Sequence, residues 1–148
     1  MSCTVLGDYR SVSHLSIPLF LERVSAGFPS PAEDYVEKTL DLNELCIRHP
    51  AATFFVRAQG ESMIEAGIFP GDVLVVDRSL QAAHGDIIIA SLESEMTVKQ
   101  LHLTPKPVCL MPRNPAYQPI IIDEDRTLEV FGVVTNVVRS LSRGGQTG

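Results

Sequence analysis

Two residues of this chain have the chemistry of a nucleophile and its base, Ser62 and Lys99. Ser62 stands in Gly60-Glu61-Ser62-Met63, just after a run of β-forming residues. A glycine two residues before a serine, where a strand gives way to a helix, leaves the hydroxyl exposed. It also leaves backbone N–H groups unpaired nearby, which is what an oxyanion needs. The same residues also read as a helix start. Ser62 with Glu65 three residues on forms a capping box, and capping is the more common use of such a serine.

Lys99 lies in Thr97-Val98-Lys99-Gln100-Leu101. Strand alternation places Thr97, Lys99, Leu101 and Leu103 on one face, and Met96, Val98, Gln100 and His102 on the other. A lysine held against apolar neighbours loses hydration, its pKa falls, and the neutral amine can take a proton. The competing reading is a lysine on an edge strand whose ammonium reaches water, and for a lysine taken alone that is the commoner case.

Other acid–base sets are weaker. His14, His49, His84 and His102 have no Asp or Glu orienter at a recognisable spacing and read as satisfied or solvent-facing. Asp72 and Asp86 follow turn residues and read as acceptors of local backbone N–H groups. Asp123, Glu124 and Asp125 form a solvated acidic run without calcium-loop spacing. Cys3, Cys46 and Cys109 have neither CxxC spacing nor a neighbouring histidine. They are expected to be reduced thiols, with Cys46 and Cys109 buried and inert. No metal or cofactor is expected.

These residues need elements to position them. Residues 1–26 show little sustained periodicity, and Pro29 and Pro31 then favour an extended path. Residues 1–40 thus read as an N-terminal arm with an extended hinge. Asp41 and Glu44 resemble a weak capping box for one short helical turn carrying Leu42, Leu45 and Cys46. From there the chain reads as strands separated by turns: Thr53–Arg57, Val73–Asp77, Asp86–Ser91, Glu95–Leu103, Val108–Met111, Pro119–Ile122 and Leu128–Val138. A short helix is expected near Ser62. The apolar runs within 87–90 and 130–134 point to strands covered on both faces. The expected fold is mostly β: a compact antiparallel β domain over 41–140, with a short helix, a long extended N-terminal arm and a disordered tail over 141–148.

Composition narrows the function classes. At 148 residues the chain fits one domain plus an arm. A formal charge of −6 argues against direct nucleic-acid binding through phosphate neutralisation. No apolar run approaches a membrane span and no signal layout opens the chain, so a cytoplasmic protein is expected, with no membrane partner.

Longer strings of sequence add to this. AGFPSPAEDY (26–35), LDLNELCIRHPAATFFVRAQGESM (40–63), GDVLVVDRSLQAAHGDIIIA (71–90), MTVKQLHLTPKP (96–107) and LEVFGVVTNVV (128–138) run in the order found in one family. On them the chain resembles the UmuD/MucA-type SOS mutagenesis proteins of the LexA-like serine–lysine self-cleaving peptidases, over nearly the whole chain from about Pro18. The resemblance implies a LexA/UmuD C-terminal-like domain, with Ser62 as nucleophile and Lys99 as general base. It places the cleavage site at Ala26–Gly27, before the GFPSP segment, a pair compatible with both the Cys-Gly of UmuD-like members and the Ala-Gly of LexA-like ones. A small side chain at Ala26 and none at Gly27 suit close approach of the backbone to Ser62.

The resemblance further implies a homodimer, stimulation of the cut by a RecA–ssDNA filament, and partnership of the truncated form with a UmuC-type Y-family DNA polymerase. Twenty-six residues ahead of the cut are too few for a helix-turn-helix domain, which favours the UmuD-like role over a repressor. The alternative of another class is a non-enzymatic polymerase-binding module in which Ser62 is a cap. A signal-peptidase-like enzyme would share the dyad but need a membrane anchor.

Overall fold

The computed structural model describes residues 3–8, 17–20 and 36–142, with side chains at Cys3 and across 41–142. The chain divides into two units, one of residues 1–9 and 49–148, the other of residues 10–48.

In the larger unit eight strands form one sheet in which every pairing is antiparallel. They are β1 (Cys3–Asp8), β4 (Thr53–Ala58), β5 (Val73–Asp77), β6 (Ile87–Leu92), β7 (Glu95–His102), β8 (Val108–Met111), β9 (Ile120–Ile122) and β10 (Leu128–Val138). Their order across the sheet is β1-β4-β5-β10-β6-β7-β8-β9. The smaller unit pairs β2 (Ile17–Phe20) with β3 (Val36–Leu40), and carries α1 (Leu42–Cys46). The Asp41 carboxylate accepts the Asn43 N–H at 2.8 Å and starts that helix, as the capping pattern foretold.

The strands expected from 53 onward form within a residue or so of their sequence bounds, because β-branched runs alternate with Gly, Pro and Asp turns. Strand β1 arises inside the stretch read as an arm: Cys3 pairs with Ala58, and the ladder runs on to Asp8 opposite Phe54. The cut at 26/27 and the end of the tail fall outside the described residues.

The core lies on both faces of the sheet. Ile88 and Ile89 are adjacent, so their side chains leave opposite faces, and both are fully buried. Ile89 joins Phe54, Val56, Met63, Leu74 and Val98 in one cluster, while Ile88 joins Ala90, Leu101, Leu110 and Val133 in the other. The expectation of two covered faces thus holds for β6; in β10 it holds for Gly132 and Val133 but not for Val130, which is exposed.

Strand β10 joins the two halves of the sheet. Residues 128–133 pair with β6 and residues 133–138 with β5, with register slips on either side of the exchange. Gly132 permits this close crossing. A Cβ there would stand 2.6 Å from Val76 Cγ1 and 3.0 Å from the Asp77 carbonyl oxygen. No helix among the described residues is long and apolar enough to cross a membrane.

Candidate active site

Strand β4 delivers the chain to Ser62 through a tight turn. Gly60 has φ +84°, a left-handed conformation that a side chain would resist, and it redirects the backbone directly after β4. The helix beyond is a three-residue 3-10 turn, Ile64–Ala66. Its N-cap residue is Met63, and no side chain caps it. The capping reading of Ser62 therefore fails: the turn is too short to offer the N3 donor that a capping box uses.

The turn is pinned from the loop after β8. Arg113 N–H donates to the Ser62 carbonyl at 2.7 Å, Glu65 N–H donates to the Arg113 carbonyl at 2.9 Å, and Asn114 Nδ2 donates to the Glu61 carbonyl at 2.9 Å. Met63, fully buried in the core, anchors the same turn. Arg113 and Asn114 fall between the strands expected over Val108–Met111 and Pro119–Ile122. Nothing in their local pattern shows a contact with a segment so distant in sequence.

Lys99 sits on β7, between β6 and β8, so the edge-strand reading fails as well. Its residue is 5% exposed and Ser62 is 0% exposed. Lys99 Nζ donates to Ser62 Oγ at 3.2 Å, to Thr97 Oγ1 at 2.8 Å and to the Val98 carbonyl at 3.2 Å. Burial lowers the Lys99 pKa below its ordinary value, because desolvation disfavours the ammonium. A neutral amine has two N–H donors and one lone pair. Thr97 and the Val98 carbonyl can take the two donors, leaving the lone pair for the Ser62 hydroxyl proton. Thr97 was placed on the face of Lys99 by alternation, but its bond to the amine was not anticipated.

The remaining groups depart from their sequence reading at His49 and at two of the cysteines. His49 does find a carboxylate, since its Nδ1 lies 2.6 Å from Asp77 Oδ2. Ser79 donates its hydroxyl to the other oxygen of Asp77 at 2.6 Å. Serine and histidine both bind the aspartate rather than each other, so this cluster offers its serine no base. His84 Nδ1 accepts the Leu103 N–H at 2.9 Å and its ring lies 5.0 Å from that of His102. Asp86 accepts the Ala83 N–H and Asp72 the Phe69 N–H, the local turn bonds expected of them. Cys3, Cys46 and Cys109 are in no disulfide among the described residues, and Cys46 and Cys109 are half-buried rather than buried. A cavity of about 320 Å³ lined by Gln100, His102, Arg113 and Tyr117 adjoins the Ser62 turn through Arg113 and includes neither Ser62 nor Lys99. Ala26 and Gly27 lie outside the described residues.

The arrangement has the parts of acyl transfer without a histidine: a buried hydroxyl, a buried amine in contact with it and, among the described residues, no carboxylate at hydrogen-bond distance to hold that amine charged. Comparison with known proteins agrees with this chemistry. The family described as Peptidase S24-like matches residues 18–135. Protein MucA of Salmonella typhimurium is 53% identical over 122 residues, covering 82% of this chain and 83% of that one. Protein SamA of Salmonella typhimurium strain LT2 is 56% identical over 118 residues, covering 80% and 81%. LexA repressor 2 of Pseudomonas syringae pv. tomato is 42% identical over 125 residues, which is 84% of this chain and 61% of the repressor. With a family match over most of its length and relatives of this identity across four-fifths of both chains, the protein belongs to the Peptidase S24-like family, as a LexA-like peptidase related to MucA and SamA.

Proposed function

We propose that the protein is an SOS-response autoprotease that cuts its own Ala26–Gly27 bond with a Ser62–Lys99 dyad. The observation that carries the reading is the 3.2 Å contact between Lys99 Nζ and Ser62 Oγ in a site where both residues are buried. Neutral Lys99 takes the Ser62 proton as Ser62 Oγ attacks the Ala26 carbonyl carbon. The N–H groups of Ser62 and Met63, which take no part in the bonds of the Ile64–Ala66 turn, stabilise the oxyanion. As the C–N bond breaks, Lys99 returns the proton to the Gly27 nitrogen. Water then attacks the acyl-enzyme, giving up a proton to Lys99, and the carboxyl end of fragment 1–26 leaves Ser62 protonated again.

Because the substrate is part of the chain, the reaction depends on how often the arm presents residues 26–27 to Ser62. A RecA–ssDNA filament acts on that step by favouring the docked arm. The homodimeric 27–148 product then serves a UmuC-type Y-family polymerase, in the cytoplasm and without contacting nucleic acid itself. Relatives named MucA and SamA support this context more than a repressor role.

Incubation of the purified protein at pH 7 and pH 10 followed by mass measurement tests the chemistry. Fragments 1–26 and 27–148 should appear faster at pH 10, because Lys99 must lose its proton to act as base. Ser62→Ala and Lys99→Ala should each abolish them. Intact mass at pH 10 and in the presence of the filament would sink the autoprotease reading and leave a non-enzymatic polymerase-binding module. Cutting that survives in both variants would point to an outside protease.

A further inference from the structure

Both described strands that precede the proposed cut pair with strands that follow it. Strand β1 lies on β4, and β2 lies on β3. Hydrolysis between 26 and 27 divides the chain but removes none of these ladder hydrogen bonds. Cutting and release of fragment 1–26 are therefore separate events, and release changes the sheet: it takes away the strand that covers the outer edge of β4.

The two ends of the sheet are protected in different ways. At one end stands β9, only three residues long, which offers little to pair with. At the other end β4 would be a six-residue edge, TFFVRA, rich in aromatic and β-branched residues. Such an edge, left bare, presents a row of unpaired N–H and C=O groups to any extended segment. Strand β1 occupies it imperfectly. Its register runs Cys3–Ala58, Thr4–Arg57 and Val5–Val56, then slips before Gly7–Phe55 and Asp8–Phe54. Ala58 is fully buried and the Cys3 opposite it is half-buried, so the occupant needs a small residue at that point.

We propose that the outer edge of β4 is a strand-accepting interaction surface, held closed by β1 and opened to a partner protein when self-cutting lets fragment 1–26 leave. The partner supplies an extended segment with a small residue opposite Ala58, a β-branched residue opposite Val56 and no proline between them, which is the chemistry of β1 itself. The tether explains the timing. While the chain is whole, β1 faces β4 at an effective concentration on the order of millimolar, and no dilute segment competes. After the cut the fragment is held only by the β1 and β2 ladders, and once it dissociates a partner segment competes with it as one separate molecule with another.

The inference rests on the cut proposed above, and its test is built to stand apart from it. In the uncuttable Ser62→Ala chain, amides of Thr53–Ala58 that face β1 should resist hydrogen exchange, and a fluorescent peptide of residues 1–9 should fail to bind. Thr4→Pro and Val5→Pro are added to that chain in parallel. Alternate N–H groups face β4, so one of the two removes a ladder donor. In that variant the β4 amides should lose protection and the peptide should bind about tenfold or more tightly than before. Exchange across Val73–Asp77 and Ile87–Leu92 reports that the rest of the sheet is intact. Equal protection of β4 in all three chains, or equal peptide binding, would overturn the proposal. In the wild-type protein cut at pH 10, native mass measurement should find 1–26 still bound when concentrated and lost on dilution, after which the peptide binds. Failure to bind then also counts against the proposal. Failure of the chain to cut at all counts against the autoprotease reading, and the proline variants still decide this one.

Discussion

The proposed role of Lys99 as base depends on burial, which lowers its pKa against the opposing pull of the nearby Cys3 thiol. Among the described residues its hydrogen-bond partners are the hydroxyls of Thr97 and Ser62 and a carbonyl, none of them anionic. The rate of self-cutting should thus rise with pH through the Lys99 titration and level off above it. Thr97 is a positioning residue in this scheme. Its oxygen binds the ammonium more strongly than the amine, so Thr97→Val should lower the Lys99 pKa further and move the midpoint of the pH–rate profile to lower pH. The plateau rate should fall by roughly tenfold, since one hydrogen bond that aims the amine is lost. A pH–rate profile of fragment release, fitted for midpoint and plateau separately, checks both.

The elements hold this site from several directions. Strand β7 carries Lys99 opposite Ile88 of β6, and the loop after β8 fixes the turn that carries Ser62 through Arg113 and Asn114. Strand β10 holds the two halves of the sheet together, and Gly132 lets it do so. Gly132→Ala places a methyl against Val76 and the Asp77 backbone, both packed in the sheet. Urea denaturation should show a loss of about 1–3 kcal/mol, the usual cost of overpacking. The strands from 53 onward were legible in the sequence because alternation and turn residues are local signals. Strand β1 was not, because Cys3–Asp8 has a place in the sheet only through β4, whose partnering residues lie some fifty positions away in the chain.

At the scale of the whole molecule, two buried carboxylates link stability to pH. Burial pushes the Asp72 carboxyl up, but two hydrogen bonds from Arg139 at 2.6 and 2.7 Å, the Phe69 N–H and the guanidinium charge outweigh it. Burial likewise raises Asp77, and bonds from Ser79 and His49 outweigh that. Both carboxyls end below their ordinary value. Folded pKa values below the unfolded value of about 3.9 mean that the native state holds fewer protons there. Their stabilisation is complete above about pH 4 and is lost as pH falls through the lower folded values. Thermal melts from pH 7 to pH 2 should show this loss, and Asp72→Asn and Asp77→Asn should each lower the melting temperature at pH 7 and flatten the acid limb. The net charge of −6 also predicts that the protein alone does not retain single-stranded DNA at physiological salt, which filter binding checks.

The sequence by itself determined a mostly β domain, the family, and the two residues with the chemistry of a dyad. Those depend on residue type, alternation and long matching strings, which need no knowledge of distant contacts. Tertiary structure decided that Ser62 and Lys99 meet, with Lys99 Nζ 3.2 Å from Ser62 Oγ. Locally the serine could be a cap and the lysine a surface charge; the short turn after Met63 and the interior place of β7 remove both alternatives. It decided too that His49 belongs to Asp77 and that residues 3–8 cover the edge of β4. The reason is the same in each case. Burial and hydrogen-bond partners are set by which strands become neighbours, and in this sheet neighbours in space are often far apart in the chain.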